Sequence, residues 1–427
     1  MNTTETFLKE HNLRASDIDM EDLVSVFTRE MINGLEGKES SLRMIPTYIE
    51  AENDFLKNMP VLAIDAGGTN FRAALISISS QGKIESGKIH SYKMPGLDKE
   101  ISAEEFFRTI AGYIRPLAEK TERIGFCFSY PTEILPNRDG RLLQFCKEVQ
   151  APGVVGKLIG KNLLETLDTP EKQIVLLNDT VATLLAGKSA SVNKTCDSFI
   201  GYILGTGTNT CYIEHNVNIL KNTGLDQTRS QIINIESGNF GKAPRTDLDL
   251  LFDGMTIDPG KYTFEKMFSG GYFGGLCLCV LKAAAAEGVF SVKTAEMISR
   301  LNDLSTNDAN GFLDDEQDSD NILKKCFSGR EDIEKCTHIL KAIIDRAAKL
   351  VAANLAAVML KTGKGKSQDR PVLITIEGTV FYRLHNFKSF FEDYFRNYLC
   401  GDKLRFYEFT AVEQSSLIGA ALAGLIE

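Results

Sequence analysis

The 427-residue chain is 43% apolar and 25% charged, the make-up of a soluble globular protein of two or three domains, which excludes a disordered or collagen-like chain. With 48 Lys and Arg against 57 Asp and Glu the formal charge is −9, and no long basic block occurs, which argues against a nucleic-acid partner. Nine cysteines without a Cys-x-x-Cys pair predict neither a zinc site nor a disulfide framework, but reduced thiols in a cytoplasmic protein.

The opening MNTTETFLKEHNLRASDID lacks the basic and apolar pattern of a signal peptide. Residues 16–37 predict an amphipathic helix capped by Ser16. Leu23, Phe27, Met31 and Leu35 recur along it every four residues, and Gly34 and Gly37 mark its end. Val61–Asp65, GGTN and Phe71–Ile78 read as strand, glycine turn and strand. Ser102–Thr121 is a helix with a capping box from Ser102 to Glu105, and Ile124–Phe128 is a buried strand. Ile174–Leu177 is a further strand, running into Asn178-Asp179-Thr180 and a helix. Phe199–Leu204, GTGTN and Thr210–Glu214 then repeat the strand–turn–strand pattern. Gly-Thr-Asn occurs at 68–70 and again at 207–209, which suggests two related halves facing each other. Ser269–Ala286, with four glycines and Lys282, predicts a tightly packed buried helix rather than a membrane span. Asn302–Asp320 is polar, with five acidic residues among positions 314–320, and reads as a solvated surface loop. Glu331–Leu360 is a long alanine-rich helix. Lys361–Arg370 imitates a nucleotide loop through Gly365-Lys366-Ser367, but Leu360 stands where that loop needs glycine, and a helix precedes it. Val372–Ile376 is a strand ending in Glu377-Gly378-Thr379, and Glu413–Ile426 a small-residue helix. The mixture predicts an α/β protein.

In DAGGTN a carboxylate, Asp65, ends a strand before two glycines, whose backbone N–H groups can approach a phosphate closely. Asp65 is placed to hold magnesium, through water, with Arg72 adding charge nearby. A hairpin whose glycines only supply positive φ is the plain alternative. GTGTN at 205–209 allows the same two readings. It fails as a dinucleotide fingerprint because position 210 is threonine and a strand follows. Two such turns from opposed halves can clasp a polyphosphate between them. Asp179 is placed either as a general base or as a mere helix cap, and Asn178 can donate to a substrate hydroxyl. The five histidines, at 11, 90, 215, 338 and 385, form no metal or triad spacing.

In their order and over nearly the whole chain these motifs resemble the hexokinase family, including eukaryotic-type glucokinase, as a single catalytic unit. The resemblance is carried by LRMIPTYI at 42–49, LAIDAGGTNFRAALI at 62–76, GFCFSYP at 125–131, FCKE at 145–148 and LLNDTVATLLAG at 176–187. It continues through GYILGTGTNTCYIE at 201–214, NIESGNFG at 234–241 and DPGKYTFEKMFSGGYFGGL at 258–276. It implies a two-lobed actin-like (ribonuclease H-like) ATPase fold, each lobe a mixed sheet flanked by helices. Residues 60–178 plus 412–427 would form a small domain, 16–59 plus 179–411 a large domain, and 1–15 an N-terminal extension.

The activity so implied is magnesium- and ATP-dependent phosphorylation of the 6-hydroxyl of a hexose. Glucose is the first expectation, with mannose and fructose behind it, and the product is committed to glycolysis. The protein would be a monomer or homodimer without nucleic-acid or membrane partners. Asp179 would take the proton from the 6-hydroxyl. Ser129, Lys147, Asn178, Asn209, Glu236 and Glu265 would hydrogen-bond the other hydroxyls. Asp65, Gly67, Gly68, Thr69, Asn70, Arg72, Thr206 and Gly207 would handle the phosphates and Mg2+. Gly378, Thr379 and Ser416 would flank the nucleoside. The chain departs from the family pattern at Ser237, where tryptophan is common, and at Tyr262, where an amide often touches the sugar. Glu377 replaces the usual aspartate, and Ser415 and Leu417 stand where glycines flank the serine. A non-catalytic sugar sensor of the same fold is the alternative those departures raise; an actin-like ATPase shares the glycine turns but leaves the sugar carboxylates unexplained.

Overall fold

A computed structural model describes residues 3–50, 54–145, 149–191, 194–314 and 320–426. In chain order, β1 (Ile45–Glu50) belongs to one sheet. A second sheet takes β2 (Val61–Gly67), β3 (Asn70–Ile78), β4 (Ile84–Ser86), β5 (His90–Lys93) and β6 (Arg123–Phe128). After a small hairpin of β7 (Thr132–Ile134) and β8 (Gly140–Leu142), β9 (Gln173–Leu177) completes that sheet. The first sheet resumes with β10 (Ser198–Leu204), β11 (Thr208–His215), β12 (Ser230–Asn234), β13 (Val372–Glu377) and β14 (Tyr407–Thr410).

Both sheets are mixed and share one plan. β2 and β3 form an antiparallel hairpin across the first glycine turn, with β6 parallel to β2. β10 and β11 form the equivalent hairpin across the second turn, with β13 parallel to β10. β2 is flanked on both sides and covered on both faces, so its first six residues are all buried and apolar except Asp65.

Phe27, Ile200, Ile233, Phe264, Ile344 and Phe391 belong to the core around the β10 sheet. Phe7 and Leu8 of the helix Thr3–Glu10 are buried in the same core. Ile64, Phe71, Phe106, Phe126, Leu163 and Leu176 form the core of the β2 sheet with helices Ala103–Ala118 and Ile159–Leu167. A third cluster, including Ala63, Val175, Val181, Leu184, Ile232, Leu417 and Ala421, draws on both sheets. It is built around two helices, Asp179–Ala190 and Ser415–Gly424. The expected buried helix near residue 280 spans Phe273–Ala286. No helix among the described residues is long and apolar enough to cross a membrane.

Three local expectations need correction. The helix expected over 16–37 runs Met20–Glu36, because Asp19 rather than Ser16 caps it, accepting the N–H groups of Glu21 (2.9 Å) and Asp22 (3.1 Å). Ser16 lies in a preceding 3-10 turn. The polar stretch 302–320 is not all loop: Thr306–Asp314 is helical, since Ala309 and Phe312, three apart, bury into the core. Positions 315–319 of its acidic run lie outside the described residues. The long helix extends to Thr362 and stops at Gly363, which takes φ 65°.

Candidate active site

β2 carries Asp65 to the cavity that Asp179 and Ser416 also line, and the hairpin register sets Arg72 directly opposite. Arg72 Nε donates to Asp65 Oδ2 at 3.0 Å. Burial pushes the Asp65 carboxyl above its ordinary range; the Arg72 charge opposes that, and the charge on Asp179 adds to it.

β9 ends at Leu177, and Asn178 then caps the next helix, its Oδ1 accepting the N–H of Thr180 at 2.9 Å. The cap is therefore Asn178, and Asp179 is the first helical residue. Asp179 Oδ1 also accepts from Thr180 N at 2.8 Å. A cavity of about 510 Å3 is lined by Asp65, Gly67, Asn70, Arg72, Ser129, Asp179 and Ser416, together with Ser91. All but Ser91 were expected site residues. Ser91 sits opposite Arg72 on β5, a short polar strand with no sequence signal of its own. A larger cavity of about 680 Å3, between Arg123, Arg138, Lys161 and Lys172, contains none of them.

Beyond Asn178 lies a narrow recess of about 20 Å3, where Asn178, Asn234, Glu236, Thr47, Tyr130 and Thr132 share the wall with Ile45, Phe128, Ile134, Leu176 and Leu177. An amide chain organises it. Asn209 Nδ2 donates to Asn234 Oδ1 at 2.7 Å, and Asn234 Nδ2 donates to Glu236 Oε1 at 2.8 Å. Asn178 Oδ1 lies 3.4 Å from Asn209 Nδ2. Burial raises the Glu236 carboxyl, the Asn234 bond and the charge of Arg43 oppose this, and the charge of Asp179 reinforces it. Asn234 was not singled out from sequence, although it opens the NIESGNFG segment two residues before the carboxylate.

Glu265 lies against the second glycine turn, where its Oε2 accepts the N–H of Thr208 at 2.8 Å. A Cβ on Gly207 would fall 2.6 Å from that oxygen, so only glycine fits there without displacing the carboxylate. The turn itself is clamped: Gly270 N donates to Gly205 O and Gly271 N to Thr206 O, both at 2.8 Å. Gly378, at φ 118°, abuts the same turn, where a Cβ would sit 2.1 Å from Leu204 O. Thr379 opens the short helix that follows. At the first turn, Tyr130 Oη donates to Gly68 O at 2.8 Å, and Met94 N donates to Thr69 O at 3.0 Å. Lys147 lies outside the described residues.

Every departure from the family pattern has a physical place. Ser237 is fully buried, its hydroxyl 3.0 Å from Thr210 Oγ1. Tyr262 Oη accepts from Gln144 Nε2 at 2.8 Å. Leu417 is buried in the third cluster. Glu377 accepts hydrogen bonds from Ser415 and Thr183, so two of the departures meet each other. Burial raises the Glu377 carboxyl, the hydroxyl of Ser415 opposes this, and the charges of Asp179 and Asp65 add to it.

Two mixed sheets with the same hairpin plan, meeting along a pair of helices over a carboxylate-lined cavity, define the actin-like ATPase fold. Two hexokinase family models match this chain, over residues 5–189 and 199–426, and the chain belongs to the hexokinase family. It is 30% identical over 405 residues to hexokinase-3 of Rattus norvegicus, covering 88% of this chain and 42% of that protein. The chain thus spans less than half the length of that relative. It is 26% identical over 440 residues to hexokinase-3 of Oryza sativa subsp. japonica, covering 95% and 87%. A solved hexokinase from Schistosoma mansoni, complexed with glucose, superposes with a TM-score of 0.80 at 24% identity, over 99% of this chain and 98% of that one. A ROK hexokinase from Thermus thermophilus gives 0.52 at 18%, over 86% and 98%. At those identities the structural likeness establishes the fold alone.

Proposed function

We propose that the chain transfers the terminal phosphoryl group of ATP to the 6-hydroxyl of a hexose, glucose first, with Asp179 as the general base. What carries this reading is the position of Asp179. It lines the cavity that holds Asp65, Arg72 and Ser416, and follows directly on Asn178, which lines the recess holding Asn234 and Glu236. A carboxylate at that junction can accept a proton from an alcohol on one side while a phosphate waits on the other.

Phosphoryl transfer proceeds through a loose transition state, so alignment and charge stabilisation do most of the work. Asn178, Asn209, Asn234, Glu236 and Glu265 offer the mixed donors and acceptors that a ring of hydroxyls requires, with Ser129 and Lys147 completing the set. A sugar lacking one hydroxyl leaves a buried partner unpaired, which is the source of selectivity. The glycine turns at 67–68 and 205–207 would face the phosphates, and Gly378, Thr379 and Ser416 the nucleoside.

The donor set fits magnesium, a hard cation that takes few protein carboxylates and keeps much of its water. Among the described residues no group of three His, Cys, Asp or Glu side chains would form a protein-only cage, so Asp65, held by Arg72, would share the ion with the phosphates. Bound there, magnesium supplies charge neutralisation on the phosphate oxygens.

The domains proposed are 60–178 plus 412–427 and 16–59 plus 179–411, closing on the sugar to exclude water. Free buried thiols such as Cys127, Cys211 and Cys277 fit a reducing compartment such as the cytoplasm. A sugar sensor would use the recess but leaves Asp65, Arg72 and Asp179 without a role. Asp179→Ala, assayed by hexose-dependent ADP release, should retain sugar binding and lose about two to four powers of ten in kcat. Turnover near that of the parent protein would end the assignment.

A further inference from the structure

Thr183, Glu377 and Ser415 meet where three elements converge. Glu377 is the last residue of β13, Thr183 lies one turn along the helix from Asp179, and Ser415 opens the C-terminal helix. Glu377 Oε2 accepts from Thr183 Oγ1 at 3.1 Å and from Ser415 Oγ, and the two hydroxyls lie 3.3 Å apart. Thr183 Oγ1 is also 3.0 Å from the backbone oxygen of Asp179. Thr183 and Ser415 are buried, so these bonds form away from competing water.

Each member sits beside a site residue. Thr183 lies one turn beyond Asp179 on the same helix. Gly378, next after Glu377, abuts the second glycine turn at Leu204 O. Ser416, next after Ser415, lines the cavity with Asp65 and Asp179. The two helices are in close contact just beyond: a Cβ on Gly419 would fall 2.1 Å from Ala182 O. The helix start at Ser415 has no side-chain cap of its own, and its preceding residue, Gln414, takes φ 57°. Leu417 and Gly419 pack the body of this helix, while its first turn is held by the tertiary bond to Glu377, and a carboxylate is the favourable partner for a helix N-terminus.

We infer that Glu377 and Ser415 are a positioning pair. Their hydrogen bond fixes the start of the C-terminal helix, and with it Ser416, against the helix that carries Asp179, so that a nucleoside triphosphate is held in register with the base. The inference rests on the phosphoryl-transfer reading above. It assigns to Glu377 no contact with substrate: the residue acts through Ser415 and Ser416.

The test is a double-mutant cycle with Ser415→Ala and Glu377→Asp, measuring KM for ATP and for glucose, kcat, and the unfolding temperature. Each single variant should raise the KM for ATP about fivefold or more, the scale of one hydrogen bond, with the glucose KM and unfolding temperature little changed. The double variant should be no worse than the more affected single variant, because each change removes the same bond. Ser415→Thr, which keeps the hydroxyl, should behave like the parent. The inference is overturned if the ATP KM stays within twofold in both single variants, or if their effects multiply. It is equally overturned if both KM values shift together with a lower unfolding temperature. Should the parent protein show no hexose-dependent ADP release, the functional reading fails. The pair is then judged by the Kd of a non-hydrolysable ATP analogue, which the single variants should weaken by the same factor; an unchanged Kd rejects it.

Discussion

Gly207→Ala probes a link between the second glycine turn and the sugar side of the site. Gly207 is not among the residues of positive φ, so alanine meets no backbone penalty there, and the perturbation is steric. Its Cβ would fall 2.6 Å from Glu265 Oε2 and 3.2 Å from Glu265 Cδ. The carboxylate is the far end of a flexible side chain, and Gly238 beside it carries no side chain, so Glu265 yields to the new methyl by moving. Moving Glu265 breaks its bond from Thr208 N, now 2.8 Å, a hydrogen bond to a charged group worth about 1.5–3 kcal/mol. If Glu265 holds a sugar hydroxyl, that loss should appear as a roughly ten- to hundredfold rise in the hexose KM. The assay is ADP release with glucose titrated at saturating ATP, alongside a thermal melt to verify the fold. A hexose KM within twofold of the parent, in a variant that melts normally, would refute the placement of Glu265 on the sugar. So would a change confined to the ATP KM.

Tyr262→Phe removes the acceptor for Gln144 Nε2, a bond joining segments that flank Leu142 of one core and Phe264 of the other. Loss of one neutral hydrogen bond, about 0.5–1.5 kcal/mol, should raise the hexose KM roughly two- to tenfold while kcat holds, and an unchanged KM would show that the bond plays no part in binding. Away from the site, Arg346 holds Asp249 in a buried pair with N···O distances of 2.7 and 2.8 Å. Burial would raise the Asp249 carboxyl, but the Arg346 charge and hydrogen bonds outweigh it and the net shift is downward. A depressed folded-state pKa contributes stability that is present above the ordinary aspartate value near 3.9 and is lost as pH falls through the folded value. Arg346→Met should therefore cost about 3–5 kcal/mol at neutral pH, read by urea unfolding, because it leaves a buried charge unpaired. The cost should shrink in acid; a penalty independent of pH would show that the charge of Asp249 is not its cause.

Much of this site was legible because it is local in sequence. A glycine turn at the end of an apolar strand is encoded within a few residues, so both hairpins and the Asn178–Asp179 start of a helix could be read directly. The same locality explains the errors. Ser16 and Asp19 are both good caps, and the choice between them depended on which oxygen reaches the free N–H groups. The helix Thr306–Asp314 was hidden because only two of its residues are fully buried, Ala309 and Phe312, too weak a stripe to register.

Residues joined across long separations were not legible at all. Thr183 and Glu377 are 194 residues apart, and Glu377 and Ser415 are 38 apart, so nothing in the chain announces that two departures from the family pattern hydrogen-bond to each other. Asn234 and Ser91 escaped for a related reason: each joins the site through a strand partner, and the pairing is set by sheet register. By itself the sequence determined the family, the two repeated turns and the carboxylate at the head of a helix, since these follow from short-range backbone geometry and chemical type. Only the tertiary structure decided that Asp179 lines a cavity with Asp65 and Ser416, that a side chain at Gly207 would meet Glu265, and that Glu377 meets Ser415. Those are outcomes of packing, where a side chain's role depends on which distant atoms the two sheets bring within hydrogen-bond reach.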